Sequence, residues 1–373
     1  MSAPARAGTT DRCGADRRDV HVRVCRVPAS DARLGGMART EDPRTAPPIR
    51  WGIIGAGGIA SQFAHSVREF TRAQLVAVGS RHRDRAERFA TAHGIPTTHV
   101  GYRDLVEDPQ VDAVYVATPH SEHREHALLA IKAGKHVLVE KAFTRNVAEA
   151  QEVFDAARAA GVFVMEAMWT RFLPHVAALH QVVDAGEIGD IVNIRADHGQ
   201  YFAFDVASRL YDPALAGGAL LDLGVYPVSW AHDFLGAPAG VHAFGQLTST
   251  GVDGQISMVL EYGNGTQATL NTTLWSKTPT TSSISGTEGY IRVAGPFYAP
   301  TSFRLARRDG REWTFDLPAA RGLQYEAAEV ARRVADGDTE SPLLTWQDTL
   351  DVMTTLDEIR RQVGVVYPGE GAA

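Results

Sequence analysis

Three side chains in this sequence could hold or transfer the proton of an alcohol group: Lys141, Asp222 and Tyr226. Lys141 is one of only four lysines, and it follows the apolar stretch 137–139, which is typical of a buried strand. A lysine at the end of such a strand can orient a hydroxyl group and assist proton transfer. Asp222 and Tyr226 would share one face of a helix, because residues four apart lie on the same side.

A lysine cation beside Tyr226 would favour the phenolate, which makes these two residues a candidate acid and base, with Asp222 orienting either group. Considered alone, the stretch 217–227 is better interpreted as a helix start whose buried tyrosine bonds to the aspartate. The catalytic interpretation therefore depends on what the rest of the chain places beside these residues.

A glycine-rich turn separates the apolar run 49–54 from a predicted helix over 61–70. Its first glycine permits the tight turn, its second lets backbone N–H groups approach a pyrophosphate, and Ala60 allows the helix to pack on the strand. The helix N-terminus adds partial positive charge for the phosphates. The pattern predicts a dinucleotide site that includes Gly55, Ala56, Gly57, Gly58 and Ile59.

The end of the second predicted strand, residues 75–78, indicates which dinucleotide is bound. An NAD-selecting protein usually carries an acid there, whereas this chain has Ser80 and Arg81. A hydroxyl and a guanidinium suit a 2′-phosphate, so we expect NADP with these two residues as readers. Alternatively, Arg81 and Arg83 are solvated residues at a helix start and NAD is tolerated, and use of both cofactors stays open.

Further cofactor-facing residues follow the next two strands, where the carboxyl edge of a parallel sheet binds ligands. We expect Thr118, Pro119 and His120 after the strand 111–117, and Glu140 with Lys141 after the next one. The histidines at 120, 123 and 126 have a spacing that resembles a metal cluster. The third would lie on a different side of the helix from the first, and no nearby carboxylate completes a set of metal ligands. We therefore predict no metal site.

The stretch 165–174 combines two aromatic residues with an arginine at the expected domain junction. Binding pockets favour this mixture and this location, so Trp169 and Arg171 are candidate substrate residues. An equally weighted interpretation is a packed hinge in which Arg171 pairs with an acid.

The elements that would position these residues predict an α/β fold of two parts. Alternating strands and helices over 48–165 indicate a doubly wound parallel Rossmann sheet. Short β-type runs from 241 to 315, with turns at 263–265 and 309–310, indicate an open, predominantly antiparallel sheet in an α+β domain over 166–367. We expect helices over 324–336 and 345–363 to close the chain, with the last able to pack back on the first domain, and a tail over 368–373.

Composition excludes several classes of protein. A net charge of −7 argues against a nucleic-acid binder, and no stretch has the roughly 18 apolar residues of a membrane helix. Both cysteines lie within the first 25 residues, so the body holds no disulfide framework, thiolate metal site or cysteine nucleophile. We expect a cytoplasmic protein with a small-molecule substrate.

The first segment, 1–47, differs from the rest of the chain. Residues 1–50 hold ten Arg, six acidic residues and no Lys, with little apolar periodicity. They lack the apolar stretch of a secretory signal, and their acids count against a transit peptide. We expect a disordered leader, with Met37 as an alternative initiator, and a basic tether as the less favoured hypothesis.

The glycine turn, Glu140-Lys141 and the Asp222-x-Gly-x-Tyr226 pattern together resemble the Gfo/Idh/MocA oxidoreductase family over about 49–367. The stretch 166–172 and Tyr226 are most similar to its dimeric dihydrodiol dehydrogenase and NADP-xylose dehydrogenase branch. The sequence departs from the family's common Glu-Lys-Pro at Ala142, which does not enforce the backbone geometry of proline.

The resemblance implies hydride transfer between the nicotinamide and a sugar, polyol or cyclic diol, with Lys141 and Tyr226 as the catalytic pair and Asp222 in support. It also implies that His123 lies near the nicotinamide ribose, that Trp169 and Arg171 line the pocket, and that the open sheet forms a homodimer or a higher homo-oligomer. Two rival hypotheses are a redox-cycling glycosidase or lyase that keeps its nicotinamide bound, and a sensor that binds NADP without turnover.

Overall fold

The computed structural model describes residues 40–316 and 320–370. The predicted leader therefore lies largely outside the described residues, as do Cys13, Cys25 and Met37. Residues 40–47 are described and include a short 3₁₀ turn, Pro43–Thr45, that starts at an Asp42 cap.

The first sheet has six parallel strands in the order β3-β2-β1-β4-β5-β6, which confirms the predicted doubly wound architecture. The sequence did not predict β3, because its four residues carry no apolar run. The strands are β1 (Arg50–Ile54), β2 (Gln74–Ser80), β3 (Thr97–Val100), β4 (Ala113–Val116), β5 (His136–Glu140) and β6 (Val164–Ala167).

Five helices accompany this sheet, and one of them, α5, begins at a side-chain cap. The Asn146 side chain accepts a hydrogen bond from the Glu149 N–H at 3.0 Å and so caps α5 as its residue type predicts. Between the layers, the rings of Phe63 and Tyr115 stack at 3.9 Å within a fully buried core. The helices are α1 (Gly58–Phe70), α2 (Arg83–His93), α3 (Arg103–Glu107), α4 (His123–Lys132) and α5 (Val147–Ala160).

The second sheet has eight strands in the order β14-β13-β12-β11-β7-β10-β9-β8. Its neighbours are antiparallel except for the β7–β10 pair, so the prediction of a predominantly antiparallel sheet is confirmed. The strands are β7 (Ile191–Gly199), β8 (Gly240–Leu247), β9 (Asp253–Glu261), β10 (Gln267–Thr273), β11 (Ser282–Gly286), β12 (Gly289–Val293), β13 (Ser302–Arg307) and β14 (Glu312–Asp316).

Helices cover one face of the second sheet and also join it to the first domain. The helices are α6 (Pro174–Asp184), α7 (Val225–Leu235), α8 (Leu323–Asp336) and α9 (Trp346–Val363). Helix α9 packs on α7 and β8 and also on α5, while α8 packs on α1. The chain end thus contacts the first domain, and the Glu370 carboxylate pairs with Arg360 at 2.8 Å.

The opposite face of the second sheet carries polar side chains and a few large apolar ones. Phe244 is 82% exposed and Tyr290 39% exposed on this face. Within the residues that the structure describes, no helix is both long and apolar enough to cross a membrane.

Candidate active site

A cleft of about 630 Å³ opens at the carboxyl ends of the strands of the first sheet, where β7 and α7 of the second domain approach. This is the edge at which doubly wound sheets bind ligands. Every residue that the sequence predicted for cofactor binding lines this one cleft, together with Asp222 and Tyr226. The predicted cofactor residues are Gly55, Ala56, Gly57, Gly58, Ile59, Ser80, Arg81, Thr118, Pro119, His120, His123, Glu140 and Lys141.

The glycine turn has the geometry that a pyrophosphate requires. Gly55 has a φ of 98°, and a Cβ there would lie 2.7 Å from the Ala117 carbonyl oxygen, so a larger residue would strain the turn. Gly57 caps α1, and a Cβ at Gly57 or Gly58 would meet nothing within 4 Å among the described atoms. Backbone N–H groups at the start of α1 therefore face open space, and these residues fit the phosphates of a dinucleotide.

Ser80 and Arg81 lie at the end of β2, as predicted, beside residues that sequence reasoning missed. The Arg81 Nη1 atom donates to the Glu122 Oε1 atom at 2.9 Å. Arg85 and Tyr102 also line this part of the cleft. Arg85 lies in the first turn of α2, and its position at the start of that predicted helix was the available signal for it.

Lys141 reaches across the cleft to the second domain. Its Nζ atom donates to the main-chain oxygen of Asp222 at 2.7 Å and lies 3.9 Å from the Asp222 Oδ1 atom. The same ammonium sits 5.0 Å from the centre of the Tyr226 ring. The peptide bond between Lys141 and Ala142 is cis. The structure thus brings the three proposed proton-handling residues together.

Asp222 lies in a π-helical turn, Leu220–Gly224, that precedes α7, rather than in the regular helix expected from its spacing to Tyr226. The Thr272 hydroxyl donates to the Ala219 carbonyl at 3.3 Å, just before this turn. Burial by itself would raise the pKa of the Asp222 carboxyl, but the charges of Lys141 and Arg209 outweigh it and hold the pKa below its ordinary value. The carboxylate therefore stays ionised.

Arg209 is the residue of this cluster that the sequence did not reveal. Its Nη2 atom donates to the Asp222 Oδ1 atom at 2.9 Å, and its side chain is half exposed at the cleft. Arg209 belongs to an irregular segment between β7 and α7, and no motif marked it.

Tyr226 differs from its expected state. Burial, followed by the nearby Glu140 charge, raises the pKa of its hydroxyl well above the ordinary value. The expectation that a lysine would favour the phenolate is therefore wrong, because the Lys141 ammonium lies near the ring while burial opposes a phenolate charge. The Trp169 indole N–H donates to the Tyr226 hydroxyl at 3.2 Å. The Tyr226 ring stacks on the Tyr298 ring, with 4.4 Å between the ring centres.

The two predicted substrate residues are placed differently from each other. Trp169 is not among the residues that line the cleft but contacts the site through Tyr226. Arg171 is also absent from the cleft lining; its side chain is 8% exposed and its Nη1 atom pairs with Asp233 Oδ1 at 2.9 Å. This pairing matches the packed-hinge interpretation of Arg171, and the described residues give it no place in the pocket.

Four histidines near the cleft have lowered pKa values because they are buried. Burial lowers the pKa of His120 to about 3 and the pKa of His123 and His198 to about 4. The His123 nitrogens lie 2.8 Å from the Thr118 oxygen and 3.0 Å from the Ala142 oxygen, which links the segments after β4 and β5. His126 instead contacts the Thr118 hydroxyl at 2.9 Å. Among the described residues, no group of three His, Cys, Asp or Glu side chains could hold a metal ion.

Three buried glutamates lie at or near the cleft: Glu140, which lines it, and Glu166 and Glu326, which do not. Tyr115 donates a short hydrogen bond to Glu140, and burial raises the pKa of that carboxyl. Burial also raises the pKa of Glu166 to about 7, and it raises the pKa of Glu326 well above its ordinary value. Both oxygens of Glu326 are without a hydrogen-bond partner within the described part of the chain.

The cleft thus combines a Rossmann sheet and its glycine turn with Lys141, Asp222 and Tyr226 at the same edge, an arrangement that suits an oxidoreductase. Residues 49–168 match the family model described as the oxidoreductase family with an NAD-binding Rossmann fold, and residues 176–292 match the GFO/IDH/MocA C-terminal domain. The chain belongs to the Gfo/Idh/MocA family of NAD(P)-dependent oxidoreductases, as its motifs predicted.

Relatives with assigned activities cover most of the chain. It is 36% identical over 334 residues to a trans-1,2-dihydrobenzene-1,2-diol dehydrogenase from Sus scrofa, covering 86% of this chain and 98% of the relative. It is 35% identical over 365 residues to an NADP⁺-dependent D-xylose 1-dehydrogenase from Hypocrea jecorina, covering 86% and 93%. A solved 3-ketoreductase from Actinomadura kijaniata, in complex with TDP-benzene and NADP, has a TM-score of 0.74 at 28% identity, covering 85% and 98%.

Proposed function

We propose that this protein is an NADP-dependent oxidoreductase that interconverts a secondary alcohol and a carbonyl group of a sugar, polyol or trans-dihydrodiol. The observation that carries the proposal is the 2.7 Å hydrogen bond between the Lys141 ammonium and Asp222, inside the cleft that also contains the glycine turn. A binding protein would need the turn, but it would gain nothing from a buried cation and an ionised carboxylate beside it. The relatives named above, which act on a diol and on xylose, support the substrate class.

Lys141 is the residue that we assign to proton transfer. When bound, the nicotinamide supplies or accepts the hydride, and the protein's contribution is orientation and proton movement. In the reducing direction the Lys141 ammonium donates its proton to the carbonyl oxygen, and in the oxidising direction the neutral amine takes the hydroxyl proton. Its side chain is 14% exposed, so few water molecules compete for that proton.

Tyr226 and Asp222 then act as partners of Lys141. Because the pKa of Tyr226 is raised, its hydroxyl keeps its proton and donates a hydrogen bond to the substrate oxygen. The Trp169 N–H, which donates to that hydroxyl, orients the proton of Tyr226 toward the cleft. Asp222 stays ionised and fixes the positions of Lys141 and Arg209.

We assign NADP as the preferred cofactor on the basis of Ser80 and Arg81. Both line the cleft at the end of β2, and Arg85 adds a second guanidinium on the same side. Guanidinium groups suit a 2′-phosphate because they offer several N–H donors and a fixed charge.

The test is the formation of reduced nicotinamide with NADP⁺, or separately NAD⁺, across aldoses, polyols and trans-cyclic diols. We expect turnover on at least one substrate class, with a higher kcat/KM for NADP⁺ than for NAD⁺. No turnover across the panel, although both dinucleotides bind, would contradict the proposal and favour the redox-cycling or sensor hypothesis. A dinucleotide that co-purifies with the protein would then identify the redox-cycling one.

We also propose that the open face of the second sheet binds a second copy of the chain. A face that bears an 82% exposed Phe244 beside regular strands is suited to pairing with itself about a two-fold axis. Sedimentation equilibrium tests this, with Phe244→Asp expected to raise the dimer dissociation constant. A monomer at all concentrations of the unaltered protein would contradict it.

A further inference from the structure

Glu122 places an acid beside Ser80 and Arg81, at the end of the cleft that we assign to the adenosine of the cofactor and for which no acid was predicted. The residue comes from the connection between β4 and α4, not from the end of β2 where such an acid was sought. Its Oε1 atom accepts from Arg81 at 2.9 Å, and both side chains line the cleft with Gly57 and Ser80. Folding therefore brings an acid to the cation that we assign to the 2′-phosphate.

The two members of this ion pair differ in how firmly they are held. The Glu122 side chain is 18% exposed and that of Arg81 is 61% exposed. The second carboxylate oxygen of Glu122, Oε2, is buried and is without a hydrogen-bond partner among the described residues. If Arg81 turned fully toward a phosphate, it would leave this desolvated carboxylate without its charge partner, which is unfavourable. Glu122 thus competes with a phosphate for Arg81.

The charge of Glu122 also acts on the cleft wall. Burial, followed by Glu122, raises the pKa of the Tyr102 hydroxyl, which lines the same part of the cleft. A carboxylate in this position is a hydrogen-bond acceptor for a ribose 2′-hydroxyl, the group that distinguishes NAD from NADP. The same charge repels a 2′-phosphate, which is close to dianionic at neutral pH.

We infer that Glu122 is a cofactor-specificity residue that, by pairing with Arg81, limits the preference for NADP and allows NAD to be used. The inference rests on the proposed function, because it takes Arg81 as the reader of the 2′-phosphate. In this view the adenosine site contains one residue for each cofactor, Arg81 for the phosphate and Glu122 for the hydroxyl.

The direct test is the binding of NADP⁺ and NAD⁺ to the full chain, measured by isothermal titration calorimetry with and without Glu122→Gln. Glutamine keeps an oxygen that can accept from Arg81 but removes the charge. We expect the dissociation constant for NADP⁺ to fall and the one for NAD⁺ to stay or rise, so that their ratio changes about tenfold in favour of NADP⁺. An unchanged ratio in the folded variant would overturn the inference.

Two further variants show whether the Arg81–Glu122 pair is responsible for the change in the ratio of the two dissociation constants. Glu87→Gln removes the acid of a neighbouring Arg83–Glu87 pair at 3.8 Å, which is exposed and outside the cleft lining, and should leave the ratio unchanged. In an Arg81→Gln background, Glu122→Gln should improve NADP⁺ binding less than it does in the unaltered chain, because only the repulsion between the carboxylate and the phosphate is then relieved. An undiminished gain there would overturn the role given to the pair. Failure of the unaltered protein to bind either dinucleotide would instead refute the proposed function.

Discussion

Replacement of Glu166 by glutamine should stabilise the protein at alkaline pH and change little at acidic pH. Glu166 is 2% exposed at β6, and its Oε1 atom has no hydrogen-bond partner among the described residues. The Thr349 hydroxyl donates to the other oxygen at 3.3 Å. Because burial disfavours the charged carboxylate, folding costs free energy whenever the pH requires Glu166 to ionise.

The magnitude follows from the pKa. Burial raises the pKa of Glu166 from an ordinary 4.5 to about 7, a difference equivalent to about 3 kcal/mol. Below pH 4.5 the carboxyl is protonated in the folded and unfolded chain, so there is no penalty. Between the two values the unfolded chain ionises first and stability falls as the pH rises, and above pH 7 the penalty is constant. Glutamine does not titrate, so the stability advantage of Glu166→Gln over the unaltered protein, measured as free energy of unfolding, should grow by about 2–3 kcal/mol from pH 5 to pH 8.

The assay is urea unfolding of both proteins at pH 5 and pH 8, with the free energy of unfolding compared at each pH. Glu107→Gln serves as the control, because Glu107 is exposed at the end of α3 and its replacement should have nearly equal effects at both pH values. A Glu166→Gln variant that is no more stabilised at pH 8 than at pH 5 would refute the reasoning, since it would mean that the carboxyl is already ionised without cost.

Three other changes test the site and its support. Lys141→Met should reduce kcat by about 10²–10⁴-fold with little change in the NADP⁺ dissociation constant. The control is Lys132→Met, at an exposed lysine, which should keep normal turnover. Normal turnover of Lys141→Met would contradict the assignment of Lys141 to proton transfer. Gly55→Ala, at a position with a φ of 98°, should lower the free energy of urea unfolding by about 1–3 kcal/mol and weaken NADP⁺ binding. Unaltered affinity for NADP⁺ would contradict the role of this turn in binding the phosphates. Arg171→Leu leaves the buried Asp233 with His180 as its remaining charge partner, so the variant should lose about 1–3 kcal/mol of unfolding free energy without a rise in KM. A folded variant with a higher KM would place Arg171 in the pocket after all.

The sequence was informative where function depends on a local pattern. The phosphate-binding turn at Gly55–Gly57 needs particular residues at fixed spacing between a strand and a helix, so it could be predicted together with the sheet that holds it. Lys141 was identifiable for the same reason, because it follows a buried strand directly. Strand β3 was missed because its residues, Thr97–Val100, show no periodicity that distinguishes them from a loop.

Features that depend on contacts between distant segments could not be predicted. Arg209 meets Asp222 only because the chain between β7 and α7 folds over the cleft, and Glu122 meets Arg81 from another strand connection 41 residues away. The Arg171–Asp233 pair is of the same kind: the sequence showed that an acid was a plausible partner but not which one. Charge pairing of this type is set by the tertiary fold, not by spacing along the chain.

The pKa of Tyr226 shows most directly how the fold changes the chemistry inferred from residue types. A tyrosine next to a lysine cation suggested a phenolate, but burial and the charge of Glu140 act on that hydroxyl in the opposite direction. The Lys141 ammonium is bonded to the Asp222 carbonyl and lies near the Tyr226 ring. We therefore propose that Lys141 transfers the proton and that Tyr226 acts as a fixed hydrogen-bond donor. Under this proposal Lys141 and Tyr226 are not interchangeable: Tyr226→Phe would remove a hydrogen bond, but Lys141→Met would remove the group that gives and takes the proton.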